Sequence, residues 1–130
     1  MSIEKRIIRT EEAPAAVGPY AQAVASGGQV YTSGQLPIDP HRDTMPDGMT
    51  EQTRQCLNNV KAILEASGCS MDRIIKTTVF LKDMARFSEM NEVYASFFAD
   101  GHVPARSAVE ASRLPKDALI MIDVIAALGV

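Results

Sequence analysis

Two cysteines and two histidines are all that this chain offers a metal or a disulfide framework. Cys56 and Cys69 share no C-x-x-C spacing, and Cys56 falls on an apparent helix face, so reduced thiols are expected rather than a bridge. His41 and His102 stand apart in loop-like surroundings, and with no ligand cluster around them no metal site is expected. Charge of one sign is scarce too, since a net charge of −3 supplies no field that would draw a polyanion. The nearest approaches to a basic patch, Lys5, Arg6 and Arg9, and Arg113 with Lys116, are interleaved with acids, which argues against nucleic acid as a partner. No apolar run follows the charges of residues 1–6, as a secretory signal would require. The most apolar segment, 118–130, is interrupted by Asp123 and is shorter than the ~20 residues that span a bilayer, so a core strand is expected there, with no membrane partner and a cytoplasmic location.

What is present suits one compact domain. A chain of 130 residues buries roughly two-thirds of its unfolded surface, enough for a core without staples, so residues 1–130 are read as a single domain. Residues 5–9 form a short β-branched run fit for an edge strand, and 21–25 with 29–33 flank Ser26-Gly27-Gly28 as a hairpin. Residues 34–48 are rich in turn formers and read as a long ordered loop. Between 50 and 67, Cys56, Leu57, Val60, Ile63 and Leu64 make a helical stripe, with Thr50 as the candidate N-cap and Gly68 as the stop. Residues 74–82 alternate as a strand, with Ile75, Thr77, Val79 and Leu81 on one face. A second helix, from Met84 or Arg86 to Ala99, carries the stripe Phe87, Met90, Tyr94, Phe97 and Phe98, with Asn91 inside it. Strands at 106–111 and 119–127 complete the order β, β, β, α, β, α, β, β. Two helices apolar on one side favour an α+β fold, a mixed sheet covered on one face by two helices.

Three polar groups stand out against this pattern. Arg106 lies among Pro104, Ala105, Ala108 and Val109 and needs an anion, either an Asp or Glu of its own fold or the carboxylate of a small acid that its planar fork would hold bidentately. Asn91 aims an amide into an apolar stripe, where leaving it unpaired costs ~1–3 kcal/mol. Asp123 is an acid on the otherwise apolar face that it shares with Met121 and Ile125.

Five segments together carry a resemblance: A-P-A-A-V-G-P-Y (13–20), T-S-G-Q-L-P (32–37), N-N-V-K-A-I-L-E-A-S-G (58–68), K-T-T-V-F-L-K-D (76–83) and P-A-R-S-A-V-E (104–110). In register over nearly the whole chain, they resemble the RidA/YjgF family of reactive-intermediate deaminases. The resemblance implies a chorismate-mutase-like α+β fold, assembly as a homotrimer with clefts between subunits, and no cofactor. It further implies hydrolysis of 2-imino and enamine acids such as 2-aminoacrylate to 2-keto acids and ammonia. By the same resemblance Arg106 is the carboxylate-binding, catalytic arginine, Tyr20 lines the cleft, Ser33 and Gly34 lie beside the ligand, and Asn91 reaches toward it. Ala108 stands where many members have cysteine, leaving its backbone amide to meet the carboxylate. Met121 replaces the first glutamate of the family's I-E-I-E strand, the residue that positions or activates water, while Asp123 matches the second acid. General acid-base help is typically worth ~10²–10⁴ in rate, so the expected imine deaminase is a weakened one. The alternatives are a weakly catalytic or non-catalytic member that binds keto or amino acids at the trimer clefts and, third, an endoribonuclease.

Overall fold

Gly27 and Gly28, with φ of +60° and +79°, turn strand β2 (Ala23–Ser26) directly back into β3 (Gln29–Thr32). Positive φ at both central residues is what a tight hairpin twisted with its strands requires, and only glycine adopts it freely. Strand β1 (Arg6–Ile8) adds antiparallel to β2, pairing Ile7 with Val24. The computed structural model describes residues 4–128.

The long segment after β3 is ordered by side chains of the helix that follows it. Asn59 donates from Nδ2 to the carbonyls of Leu36 (3.0 Å) and Ile38 (2.9 Å), and Gln35 exchanges backbone hydrogen bonds with Ile122. Helix α1 (Met49–Ala66) begins earlier than its polar signals suggest: the cap position is Gly48, at φ +83°, and Thr50 sits inside the first turn. Met49, almost wholly buried, extends the apolar stripe backwards, and Gln52 donates to the Pro46 carbonyl at 3.0 Å, drawing the loop onto that turn. Cys56, Leu57, Val60, Ile63 and Leu64 are fully buried, as their spacing requires, and Gly68 ends the helix at φ +85°. Cys56 and Cys69 are both buried free thiols, and burial pushes the Cys56 thiol well above its usual range.

Strand β4 (Ile74–Leu81) departs from simple alternation. The register with the last strand slips between Ile74 and Lys76, so Ile75 is an extra residue at a bulge. Thr77, Val79 and Leu81 are buried, but Ile75 is 44% exposed and leaves the face it was expected to share with them. A 3₁₀ turn at Met84–Arg86, capped by Asp83 accepting from Ala85 N at 3.0 Å, leads into helix α2 (Phe87–Ser96). Strand β5 (Ala105–Glu110) then lies parallel to β4. Parallel neighbours need a crossover, which α2 supplies.

Strand β6 (Ile120–Ala127) enters antiparallel between β3 and β4, giving one mixed sheet in the order β1-β2-β3-β6-β4-β5. The two runs on either side of the turn at Pro115–Asp117 are therefore not neighbours, because β4 separates them. Both helices cover one face, over Thr77, Val79 and Leu81 of β4 and Ile120, Ile122, Val124 and Ala126 of β6. The fold is α+β, as the order of elements implied. The other face is bare and carries Ile7, Tyr31, Phe80, Val109, Met121 and Ile125. Among the described residues no helix is long and apolar enough to cross a membrane, and no group of three His, Cys, Asp or Glu side chains converges as a metal site would.

Candidate functional site

Arg106 is the Cα partner of Thr77 in the β4–β5 ladder, so its side chain rises on the helix-covered face, at the outer edge of the sheet. There it meets α2. Nη1 donates to Asn91 Oδ1 at 2.7 Å, and the guanidinium carbon lies 4.7 Å from the ring centre of Tyr94 and 5.2 Å from that of Phe87. These are cation–π distances. Asn91 thus finds its partner in Arg106 rather than in the core. Among the described residues Arg106 forms no ion pair, and the acids that do pair belong to other cations. A pocket of about 420 Å³ opens beside it, lined by Asn91, Tyr94, Phe98, Val103, Pro104 and Arg106. Ala108 lies on the same face two residues on, half-buried and opposite Val79.

Tyr20, Ser33, Gly34 and Met121 gather elsewhere. Tyr20 is 53% exposed and borders a cleft of about 650 Å³ whose other walls include Ile7, Ile8, Ala13, Gly18, Gln22 and Pro40. Ser33 Oγ donates to the Ala21 carbonyl at 2.6 Å and its backbone N to that of Gln22 at 2.9 Å, which binds this residue to the segment that carries Tyr20. Gly34 is overlaid by Met121: a Cβ at that position would come within 2.7 Å of the Met121 sulfur. The thioether therefore lies directly on the glycine backbone, and no carboxylate occupies that spot.

Alternation along β6 turns Met121 and Asp123 to the bare face, away from the helices and from Arg106. Met121 pairs with Phe80, which pairs with Val109. Met121 is therefore about 10 Å across the sheet and about 10 Å along it from Arg106, on the opposite face. Asp123 pairs with Thr78, which pairs with Ser107. Burial raises the Asp123 carboxyl above its ordinary value, opposed by the charge of Lys76 and a hydrogen bond to Thr78.

Of the expected site residues, Arg106 lies with Asn91 and on the same face as Ala108, while Met121 lies on Gly34, next to Ser33, whose hydrogen bonds run to the two residues after Tyr20. The two clusters do not meet within the chain. Three contributors escaped the sequence reading as site residues: Phe87 and Tyr94 beneath the guanidinium, and Thr77, whose Oγ1 lies 2.8 Å from the Tyr94 hydroxyl. The i, i+4, i+7 spacing of Phe87, Asn91 and Tyr94 puts the two rings on the same helix face as the amide, a signal that reads equally as core.

The family model described as Endoribonuclease L-PSP matches residues 10–128. A RutC family protein of Pyrococcus horikoshii is 54% identical over 123 residues, covering 94% of this chain and 97% of that protein. A protein of Salmonella typhimurium named 2-iminobutanoate/2-iminopropanoate deaminase is 50% identical over 123 residues, covering 93% and 96%. The crystal structure of E. coli TdcF with bound serine superposes with a TM-score of 0.91 at 46% identity, covering 95% of this chain and 99% of that one. With the family model, these relatives and the superposed sheet in agreement, the chain belongs to the RidA/YjgF family.

Proposed function

We propose that this protein hydrolyses 2-imino acids, such as 2-iminobutanoate and 2-iminopropanoate, to 2-keto acids and ammonia. In this reading the clefts form between copies of a homotrimer, where Arg106, Asn91 and the Ala108 amide of one copy face Tyr20, Ser33 and Gly34 of the next. The observation that carries it is the Arg106 guanidinium, seated on two rings and an amide yet without an ion pair among the described residues. A cation so placed fits the carboxylate of a small acid better than an acid of its own fold. Relatives named as imine deaminases, and one solved with serine bound, support the same ligand class.

The chemistry asks little beyond orientation. Water adds to C2 of the iminium acid, and the carbinolamine so formed expels ammonia: one iminium acid and one water give one keto acid and one ammonium ion. Arg106 holds the carboxylate and so fixes C2 for attack. With Met121 lying over Gly34, no side chain at that spot takes the proton of the attacking water, so solvent carries it and turnover is slow.

In a coupled assay that generates 2-iminobutanoate in place, the protein should accelerate keto-acid release. Arg106→Ala should lower that acceleration about 100-fold or more, since hydrogen bonds to a charged group contribute about 1.5–3 kcal/mol each. Met121→Glu should raise it, by up to about the 10²-fold that general acid-base help supplies at its lower end. The packing of Met121 on Gly34 favours a second reading, a binding module for keto or amino acids. An inert wild type that binds 2-oxobutanoate through Arg106 would establish that reading in place of the first.

A further inference from the structure

Thr77 and Tyr94 form a buried polar pair that the proposed chemistry leaves unused. Thr77 is fully buried in β4, Tyr94 is 6% exposed on α2, and their hydroxyls lie 2.8 Å apart. A valine and a phenylalanine would fill the same space without burying two hydroxyls, so packing alone does not call for the pair. What the hydrogen bond adds is position, since it anchors the hydroxyl end of Tyr94 and so the tilt of the ring's long axis. That ring is the floor beneath Arg106, its centre 4.7 Å from the guanidinium carbon. Thr77 is also the ladder partner of Arg106, so the hydroxyl that holds the ring and the backbone that carries the arginine are set by the same rung of the sheet.

Arg106 otherwise stands exposed on an edge strand, on a side chain rich in rotamers. The Tyr94 and Phe87 rings lie against its plane, and Asn91 takes one donor of Nη1. The remaining donors lie on the rim of the fork, beside the pocket lined by Val103 and Pro104.

We propose that Tyr94, oriented by Thr77, is a positioning residue that presets the Arg106 fork for a carboxylate, so that specificity for 2-oxo and 2-imino acids over their neutral analogues depends on a hydroxyl pair beneath the arginine. The proposal rests on Arg106 being the carboxylate clamp. An anion that arrives at a preset fork does not have to order it, and the benefit falls on charged ligands alone.

The test compares 2-oxobutanoate with its neutral isostere 2-oxobutanamide, by calorimetric titration of the purified wild type, Arg106→Ala, Tyr94→Leu, Thr77→Val and the Thr77→Val/Arg106→Ala double variant. Wild type should prefer the carboxylate, and Arg106→Ala should abolish the preference. Tyr94→Leu should reduce the preference about fivefold, in line with a cation–π contact at an exposed site, while amide binding stays unchanged. Thr77→Val, which keeps the β-branched shape should Tyr94→Leu fail to fold, should reduce it about threefold, about the loss of one buried hydrogen bond, and add nothing in the Arg106→Ala background. In the imine assay the same variants should raise KM with kcat held. A preference intact in Thr77→Val, or carboxylate and amide weakened equally, overturns this proposal alone. A wild type without preference, or one whose preference survives Arg106→Ala, overturns the clamp itself.

Discussion

At the scale of single residues, two side chains of β6 decide what the bare face can do. In the proposed hydrolysis Met121 puts a thioether at the position from which a carboxylate would serve the attacking water, which is why its exchange for glutamate is the most informative gain-of-function change. Asp123 is different: it is a real acid in a poor place. Burial raises its carboxyl, with Lys76 and Thr78 opposing. A raised acid favours folding while protonated, and that advantage disappears as pH rises through its folded value. Asp123→Asn should therefore raise Tm slightly at pH 7, and the gain should vanish when both proteins are melted near pH 3. A constant difference across that range would show that the hydrogen bond with Thr78, not the charge, sets the effect.

Among the elements, the segment between β3 and α1 bears most directly on the proposed function, because it begins at Ser33 and Gly34. It is held by Asn59 of α1 through two carbonyl contacts, by Gln52 through a third, and by the bridge between Gln35 and Ile122. Asn59→Leu keeps a similar branched outline but strips the Leu36 and Ile38 carbonyls of their donor. It should lower stability by about 2–4 kcal/mol in denaturant unfolding and weaken 2-oxobutanoate binding further than it weakens the fold. The helical stripes were legible from periodicity, since Leu57, Val60, Ile63 and Leu64 can share a face in only one way. The bulge at Ile75 was not, because a slip in register arises between two strands and β4 alone carries no mark of it. For the same reason the helix start moved from Thr50 to Gly48: a buried methionine and a loop contact outweighed a capping preference worth about 1 kcal/mol.

For the whole molecule, Arg106 and Met121 with its Gly34 contact lie on opposite faces of one sheet. If the clefts are shared between copies, an Arg106→Ala chain retains an intact Tyr20–Ser33–Gly34 half, and a Gly34→Leu chain retains an intact Arg106 half. Each variant alone should fail to bind 2-oxobutanoate. Mixed by unfolding and refolding together, they should recover about a quarter of the wild-type sites, the share expected when halves combine at random in a closed ring. No recovery, in a sample that sedimentation shows to be assembled, would overturn the shared cleft.

The sequence by itself determined the elements, the one-sided burial of the two helices and the membership of a family, because periodicity and short motifs are local properties that a chain carries into any environment. It also marked Arg106 and Met121 as the residues on which the proposed function turns. Only the tertiary structure decided that β4 would separate β5 from β6, that Asn91 would spend its oxygen on Arg106, and that Tyr94 and Thr77 would lie beneath the guanidinium. Those outcomes depend on which strand lies beside which, and strand order is set by the shared burial of faces distant in sequence, which no single segment encodes.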